Sequence, residues 1–396
     1  MSRIESADVV VIGAGIVGAA CAEALSAVGV RVLVVDRGTP ADATTASGTG
    51  NVLVSNKEPG PALELAVASR RRWPELIDEL GELVGPEAAA VAWAPRGALA
   101  VATTAEALGP LAAMTAAQRA AGVVIEDLDA DQARELEPRL TERITAAAHF
   151  PDDAGLHPVR ATAALLAALR ARGGEVRSGV TVDGVATDRA GAVVGVRTGV
   201  DAIPCRAVVN ACGPWAGRFS ESVGAPIDVL PLRGTVLATA PLPGFIARTV
   251  YDAGYIEAVN GPEADLRTST VIEPASSGAV LIGSSRERVA FDDAFDVTVL
   301  RRLARGATGL FPELAEVPVT RAYGGFRPST PDRLPVIGED PRVPGLWHAA
   351  GHEGAGVGLA AATGRLLADR FIGREPVVDP EPFRVDRPEV ALEAGA

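Results

Sequence analysis

The sequence predicts an α/β fold in which a parallel sheet carries helices and a separate antiparallel, β-rich region is inserted into it. Three observations carry that expectation. A β-branched run, a glycine-rich turn, an alanine-rich helical stretch and a second β-branched run follow one another within the first 36 residues. Strand, glycine-rich turn and helix return in that order between Leu334 and Asp369. Between these ends short strands broken by Gly and Asp dominate, most densely from about residue 230 to 325. Distant segments therefore assemble one α/β domain around an insertion. The divisions expected are 1–85, 145–228 and 325–396 for the α/β domain, and 86–144 and 229–324 for the β-rich one.

Taken in order, Val9–Ile12 and Val30–Val35 read as strands and Ile16–Val28 as the helix between them, with Gly29 where a C-terminal cap belongs. Ala62–Leu83 reads as a helix with Arg70, Arg71 and Arg72 on a solvated face, Leu99–Thr103 as a strand and Thr104–Gly122 as a helix. Strands follow at Val176–Val182, Val193–Thr198 and Ala207–Asn210, then at Thr235–Ala240, Tyr255–Val259, Arg267–Ile272 and Val280–Ile282. One helix, near Val297–Thr308, interrupts this β-rich block, and the Pro/Glu/Asp-rich tail after Arg374 is expected to be mobile.

Composition narrows the functional classes. A formal net charge of −13 and no basic patch leave nothing to grip a phosphate backbone, so nucleic acid is excluded as a partner. Cys21, Cys205 and Cys212 lack metal-ligand spacing and read as small buried hydrophobes. No apolar run reaches membrane-spanning length and the polar start shows no signal peptide, so a cytoplasmic protein is expected. Lys57 is the only lysine beside many arginines, which reads as compositional bias and not as function.

Gly13, Gly15 and Gly18 form GxGxxG directly after the first strand and at the opening of the helix. The first glycine turns the chain, the second lets backbone approach a pyrophosphate, and the third lets helix and strand pack closely. The helix N-terminus then faces the phosphates with partial positive charge. Asp36, eighteen residues after Gly18 at the end of the second strand, offers a carboxylate to ribose hydroxyls. The loop thus predicts a Rossmann-like site for an adenine dinucleotide and leaves NAD and FAD both open.

Other segments bear on that choice. Thr45-Ala46-Ser47-Gly48-Thr49-Gly50-Asn51 is a small, hydroxyl-rich stretch suited to closing over a cofactor, where an NAD domain would continue with another helix and strand. Gly351-His352-Glu353-Gly354-Ala355-Gly356-Val357-Gly358-Leu359 presents backbone amides at a helix N-terminus, able to hold an electron-rich atom. The His352-Glu353 pair invites an acid/base reading, although a His beside a turn is more often structural. Arg327, between a strand and a turn, offers a planar fork for a carboxylate.

On Val9–Asp36, Thr45–Asn51, Ala211–Trp215, Gly324–Pro331 and Gly351–Leu359, nearly the whole chain resembles the D-amino-acid oxidase family of FAD-dependent oxidoreductases. The branch is the one containing glycine oxidase, sarcosine oxidase and the β subunits of D-hydroxyproline and opine dehydrogenases. The resemblance implies an FAD-binding Rossmann-like domain plus an inserted antiparallel β-rich substrate domain. It implies that Gly13, Gly15, Ile16, Val17 and Gly18 hold the FAD diphosphate, and that Thr45, Ala46, Ser47, Gly48 and Asn51 wrap the flavin side. Val180 would bond adenine through its backbone, and His352, Glu353, Gly354, Ala355, Gly356, Val357 and Gly358 would lie against the flavin ring. Asp36, Arg37, Ala211, Gly213, Trp215 and Arg327 complete the implied cofactor contacts. Arg327 and Tyr255 would contact substrate, Arg327 through its carboxylate.

Departures from the pattern shape the expected reaction. Glycine oxidase carries an arginine where this chain has Gly354, and sarcosine oxidases use a β-domain lysine that this chain lacks. No cysteine follows Cys212, so a cysteinyl flavin link cannot form and the FAD is expected to be non-covalent. The turn at Gly351 and the stretch Asn51–Pro61 look most like the dehydrogenase β subunits. The expected activity is oxidation of the C–N bond of an amino or imino acid, of D-amino acid, D-hydroxyproline or opine type, by hydride transfer to flavin N5, with no dedicated general base. Alternatives are a glycine- or sarcosine-type oxidase producing peroxide, and a flavin subunit that needs electron-accepting partner subunits.

Overall fold

The computed structural model describes residues 6–199, 201–253 and 266–393. Its six-stranded sheet runs in the order Val336–Glu339, Leu346–Ala350, Ala207–Asn210, Val9–Ile12, Val32–Val35, Glu175–Arg177. All neighbours are parallel except the edge pair Val336–Glu339 with Leu346–Ala350. Segments from the start, middle and end of the chain thus share one sheet, with Val11 opposite both Val34 and Val209.

Side-chain alternation explains why the central strands are apolar throughout. Val9, Val11, Val32, Val34 and Val209 pack on one face against the helices Ile16–Ala27, Pro158–Ala171 and Gly356–Phe371. Val10, Ile12, Leu33, Val35 and Val208 pack on the other, against a three-stranded antiparallel sheet carrying Val185, Val196 and Ile203. A parallel sheet covered on both faces needs apolar residues at every position.

The second large sheet has eight strands, in the order Val319–Ser329, Leu230–Thr239, Val280–Glu287, Leu266–Pro274, Thr249–Asp252, Ala98–Ala102, Ala146–Phe150, Glu126–Leu128. It is antiparallel apart from the pairing of Thr249–Asp252 with Ala98–Ala102. Helix Val297–Leu310 closes one face. Asp296 caps it, accepting the amide of Thr298 at 2.7 Å, and Val299, Leu303, Ala307 and Leu310 form its buried stripe at helical spacing. Ala146–Phe150 and Val319–Ser329 belong to this sheet and so reach beyond the divisions expected at 144/145 and 324/325.

Several local expectations change. The strand expected over Val176–Val182 ends at Arg177, because Gly179 turns the chain with φ +71° and the amide of Val180 bonds the carbonyl of Asp36 at 2.8 Å. The helix expected from Thr104 begins at Leu108. Of the three consecutive arginines only Arg71 is exposed: Arg70 lies over the Trp93 ring, 4.9 Å from its centroid, and Arg72 pairs with Glu79 at 2.5 Å. The strand expected at Tyr255–Val259 falls outside the described residues.

The tail after Arg374 is docked, not mobile. Phe383, Val385 and Val390 are buried, and the guanidinium of Arg387 pairs with Asp332 at 2.6 Å and donates to the carbonyls of Leu334 and Pro335 at 2.7 and 3.2 Å. Among the described residues no helix is long and apolar enough to cross a membrane.

Candidate active site

A cavity of about 830 Å³ lies where the parallel strands end at their carboxyl sides and the eight-stranded sheet faces them. That is where open α/β sheets bind ligands. Each strand delivers its turn to the wall. Val9–Ile12 leads into Gly13, Gly15, Ile16, Val17 and Gly18; Val32–Val35 into Asp36 and Arg37; and Ala207–Asn210 into Ala211 and Gly213.

The glycine loop is fixed before any ligand arrives. Gly13 has φ +108°, and a Cβ there would stand 2.3 Å from the carbonyl oxygen of Ala211. Asp36 accepts the amides of Ala14 and Gly38 at 2.7 and 2.8 Å, so its carboxylate braces the loop as well as facing the cavity. Thr45 Oγ1 accepts the amide of Ile16 at 3.0 Å, while the next amides, of Val17 and Gly18, have no acceptor within the helix. Trp215 stacks between two partners, with the Arg37 guanidinium 4.0 Å from its ring centroid and Phe291 parallel to it at 5.2 Å.

The stretch 44–51 joins the two sheets. Thr44 and Ser47 donate to the carbonyls of Phe326 and Gly324 at 2.7 and 3.0 Å, and Asn51 donates to Glu273 at 2.7 Å. Burial pushes the Glu273 carboxyl up to about 7, against the hydrogen bonds from Thr49 and Asn51.

The C-terminal turn brings His352, Glu353, Gly354, Ala355, Gly356 and Val357 to the wall at the start of helix Gly356–Phe371. His352 and Glu353 do not act as a pair. His352 is buried, bonds Thr363 Oγ1 at 3.0 Å, and is pulled down to about 3 by desolvation, so it stays a neutral structural group. Glu353 takes φ +48° and its carboxylate meets Arg286 at 2.9 Å. Burial works against its ionisation, yet Arg286, Arg327 and Lys57 together hold its pKa below the ordinary value.

Arg327 also lines the cavity, donating Nη1 to the carbonyl of Ser285 at 2.8 Å. Its guanidinium lies on Gly234, where a Cβ would come within 2.3 Å of both terminal nitrogens, and its stem passes Gly354.

Of the residues singled out in the sequence, the fold gathers Gly48, Val180 and all those just named around this cavity. Ala46 is exposed and faces a neighbouring cavity instead, and Gly358 sits behind the wall against the backbone of Asn51 and Val52. Tyr255 falls outside the described residues. The reading of Lys57 as mere composition is corrected: it lines the cavity, and desolvation pulls its ammonium down to about 8. Arg286 and Glu273 gave no sequence signal, being ordinary strand residues whose neighbours come from elsewhere in the chain. Cys212 reaches the wall, but burial pushes its thiol up to about 12 and it is no nucleophile.

The wall fits a flavin dinucleotide: two helix N-termini, a carboxylate after the second strand and an amide-rich turn share one cavity. The family model for FAD dependent oxidoreductases, DAO, matches residues 8–370. Glycine oxidase of Geobacillus kaustophilus is 30% identical over 96% of this chain and 97% of its own. The hydrogen cyanide synthase subunit HcnC of Pseudomonas aeruginosa is 30% identical over 98% of both chains. The crystal structure of glycine oxidase from Geobacillus kaustophilus superposes with a TM-score of 0.86 at 28% identity, over 96% of this chain and 99% of that one. With the match covering nearly the whole length, the chain belongs to the DAO family of FAD-dependent oxidoreductases.

Proposed function

We propose that this FAD-dependent oxidoreductase oxidises the C–N bond of an amino or imino acid, of D-amino acid, D-hydroxyproline or opine type, and acts as a dehydrogenase. The observation that carries this reading is Arg327, a rigidly seated guanidinium on the wall that the C-terminal turn shares. A planar fork on the substrate carboxylate fixes the α-carbon in one place, and positioning of that kind supplies much of a barrier reduction. The bound FAD supplies the acceptor for the hydride leaving that carbon.

The remaining roles are those the family resemblance implies, supported by the presence of these residues on the cavity wall. The amides of Gly15, Val17 and Gly18 take the diphosphate, Asp36 the ribose, and the Val180 backbone the adenine. The turn from His352 to Val357 takes the flavin ring. Desolvation in the cavity lowers the pKa of the substrate amine, so the neutral amine forms without a dedicated base. Residues 1–85, 145–228 and 325–396 supply the cofactor side and 86–144 with 229–324 the substrate side, each shifted by the strands that cross those limits.

An oxidase is the second reading, favoured by the likeness to proteins named glycine oxidase. A subunit working with electron-accepting partners is the third, favoured by the likeness to HcnC, a hydrogen cyanide synthase subunit by name. Anaerobic bleaching of the flavin by a panel of D- and L-amino acids, N-alkyl amino acids and opines tests the reaction. Bleaching by at least one of them is expected, and a panel without effect overturns it. Reoxidation by dye much faster than by oxygen is expected of a dehydrogenase. Peroxide formed at the rate of dye reduction makes the chain an oxidase.

A further inference from the structure

Around the carboxylate of Glu353 the fold collects three cations, the guanidinium groups of Arg286 and Arg327 and the ammonium of Lys57, all on the same cavity wall. Arg286 spends its charge on Glu353 at 2.9 Å. Lys57 makes no such pair. Its Nζ donates to the neutral Oδ1 of Asn56 at 2.6 Å, and no ion pair joins it to a carboxylate among the described residues.

The ammonium is held there by construction. Gln118, buried on helix Leu108–Ala120, donates its side-chain amide to the carbonyls of Ser55 and Lys57 at 2.6 and 2.7 Å. The amide of Lys57 closes a turn on Val54 at 3.2 Å, and the amide of Val54 is held in turn by the buried carboxylate of Asp153 at 2.7 Å. A long flexible side chain pinned at its root and aimed into a cavity has lost much of its rotamer freedom before a ligand binds. Glu353 and Asp153 offset part of the desolvation of its charge at longer range, but neither carboxylate is in contact with it, which favours a ligand that brings an anion. One carboxylate on Arg327 leaves that demand unmet.

We propose that Lys57 forms a second carboxylate subsite, so that the preferred substrates are dicarboxylates, amino acids whose nitrogen or side chain bears a second carboxylate. This inference rests on the amino-acid reading above and narrows its substrate class. Arg327 grips the carboxylate next to the reacting carbon, and Lys57, on the same wall, grips the distal one. The lone ammonium suits this distal role, since a compact point charge on a flexible stem accepts ligands of varied length where a guanidinium fork would not.

The test uses the FAD-loaded protein and matched ligands that differ by one carboxylate. Iminodiacetate is set against N-ethylglycine for anaerobic flavin bleaching, and succinate against butyrate for perturbation of the flavin spectrum without turnover. Dicarboxylates are expected to bind on the order of tenfold or more tightly than their partners. In Lys57→Met that ratio falls towards one, and Lys57→Arg keeps part of it. Lys57→Gln serves if the methionine variant fails to fold. A wild-type ratio near one, or a ratio that survives in Lys57→Met, overturns the subsite while leaving the amino-acid reading standing. A flavin untouched by every acid overturns both.

Discussion

Arg286 on the eight-stranded sheet and Glu353 on the C-terminal turn meet across the cavity wall, Nη1 to Oε1 at 2.9 Å and Nη2 to Oε2 at 3.1 Å. Their side chains retain only 7% and 13% of their exposure, so removing one partner strands the other charge. Arg286→Met is expected to cost about 3–5 kcal/mol, as breaking other buried pairs does. The double variant with Glu353→Gln should cost clearly less than the sum of the two. Chemical denaturation of the four proteins measures the difference, and additive losses would show that the pair is not coupled.

The glycine loop separates folding from cofactor binding. Gly13→Ala places a methyl 2.3 Å from a backbone oxygen at φ +108° and should lower the melting temperature sharply. At Gly15 the Cβ would stand 3.2 Å from the Thr45 hydroxyl, a side chain that can move. Gly15→Ala should fold near-normally yet bind FAD at least tenfold more weakly. Apoprotein melting and FAD titration distinguish the two; equal melting temperatures would refute the steric argument.

Arg327→Ala should raise the KM for a carboxylate substrate by about tenfold to a hundredfold, the worth of a charge-assisted hydrogen bond or two, with FAD content intact. Arg327→Lys should recover little, because the fork and not the charge fixes the ligand. Unchanged kinetics in the alanine variant would remove Arg327 from the site.

Two buried titrations act on stability with opposite slopes. His352 in the unfolded chain takes a proton below about 6.5, whereas in the folded chain it stays neutral down to about 3. Between those values the unfolded state binds more protons, so stability falls as pH falls. His352→Gln should flatten that acid limb. Glu273 is the reverse: folded, it holds its proton up to about 7, and the stability this gives is full below the ordinary carboxylate range and lost as pH rises through 7. Glu273→Gln keeps an acceptor for Asn51 and should flatten the neutral-to-alkaline loss. Melting temperatures from pH 3 to 9 check both, and parallel curves for variant and wild type would contradict them.

Arg387→Met should destabilise by about 3–5 kcal/mol, since it strands Asp332 and frees the docked tail. Faster proteolytic trimming after residue 374 is the accompanying readout. A tail that stays protected would mean that Phe383, Val385 and Val390 suffice to hold it.

The parallel-sheet core was legible in the sequence because it is governed locally: β-branched runs, three glycines and an acid at fixed spacing leave one arrangement open. What was not legible depends on residues meeting across the chain. Glu353 and Arg286 lie 67 positions apart on different elements, and no local pattern pairs them. The tail misled because Pro, Glu and Asp outnumber the few residues that anchor it, while burial of Phe383 and a pinned Arg387 decide its placement. Lys57 was hidden by its own rarity. In a chain that uses arginine everywhere else, a single lysine looks like compositional drift, and only the folded chain sets it on the cavity wall.

That solitary lysine also makes the protein its own reporter. Apart from the chain's α-amino group, it offers amine-directed reagents a single primary amine, recessed in the cavity and uncharged in substantial part at mildly alkaline pH. Acylation should therefore add one group beyond that on the α-amino group when the cavity is open, and a ligand that fills the cavity should prevent that addition. Occupancy could then be followed by mass alone, without a chromophore and without turnover.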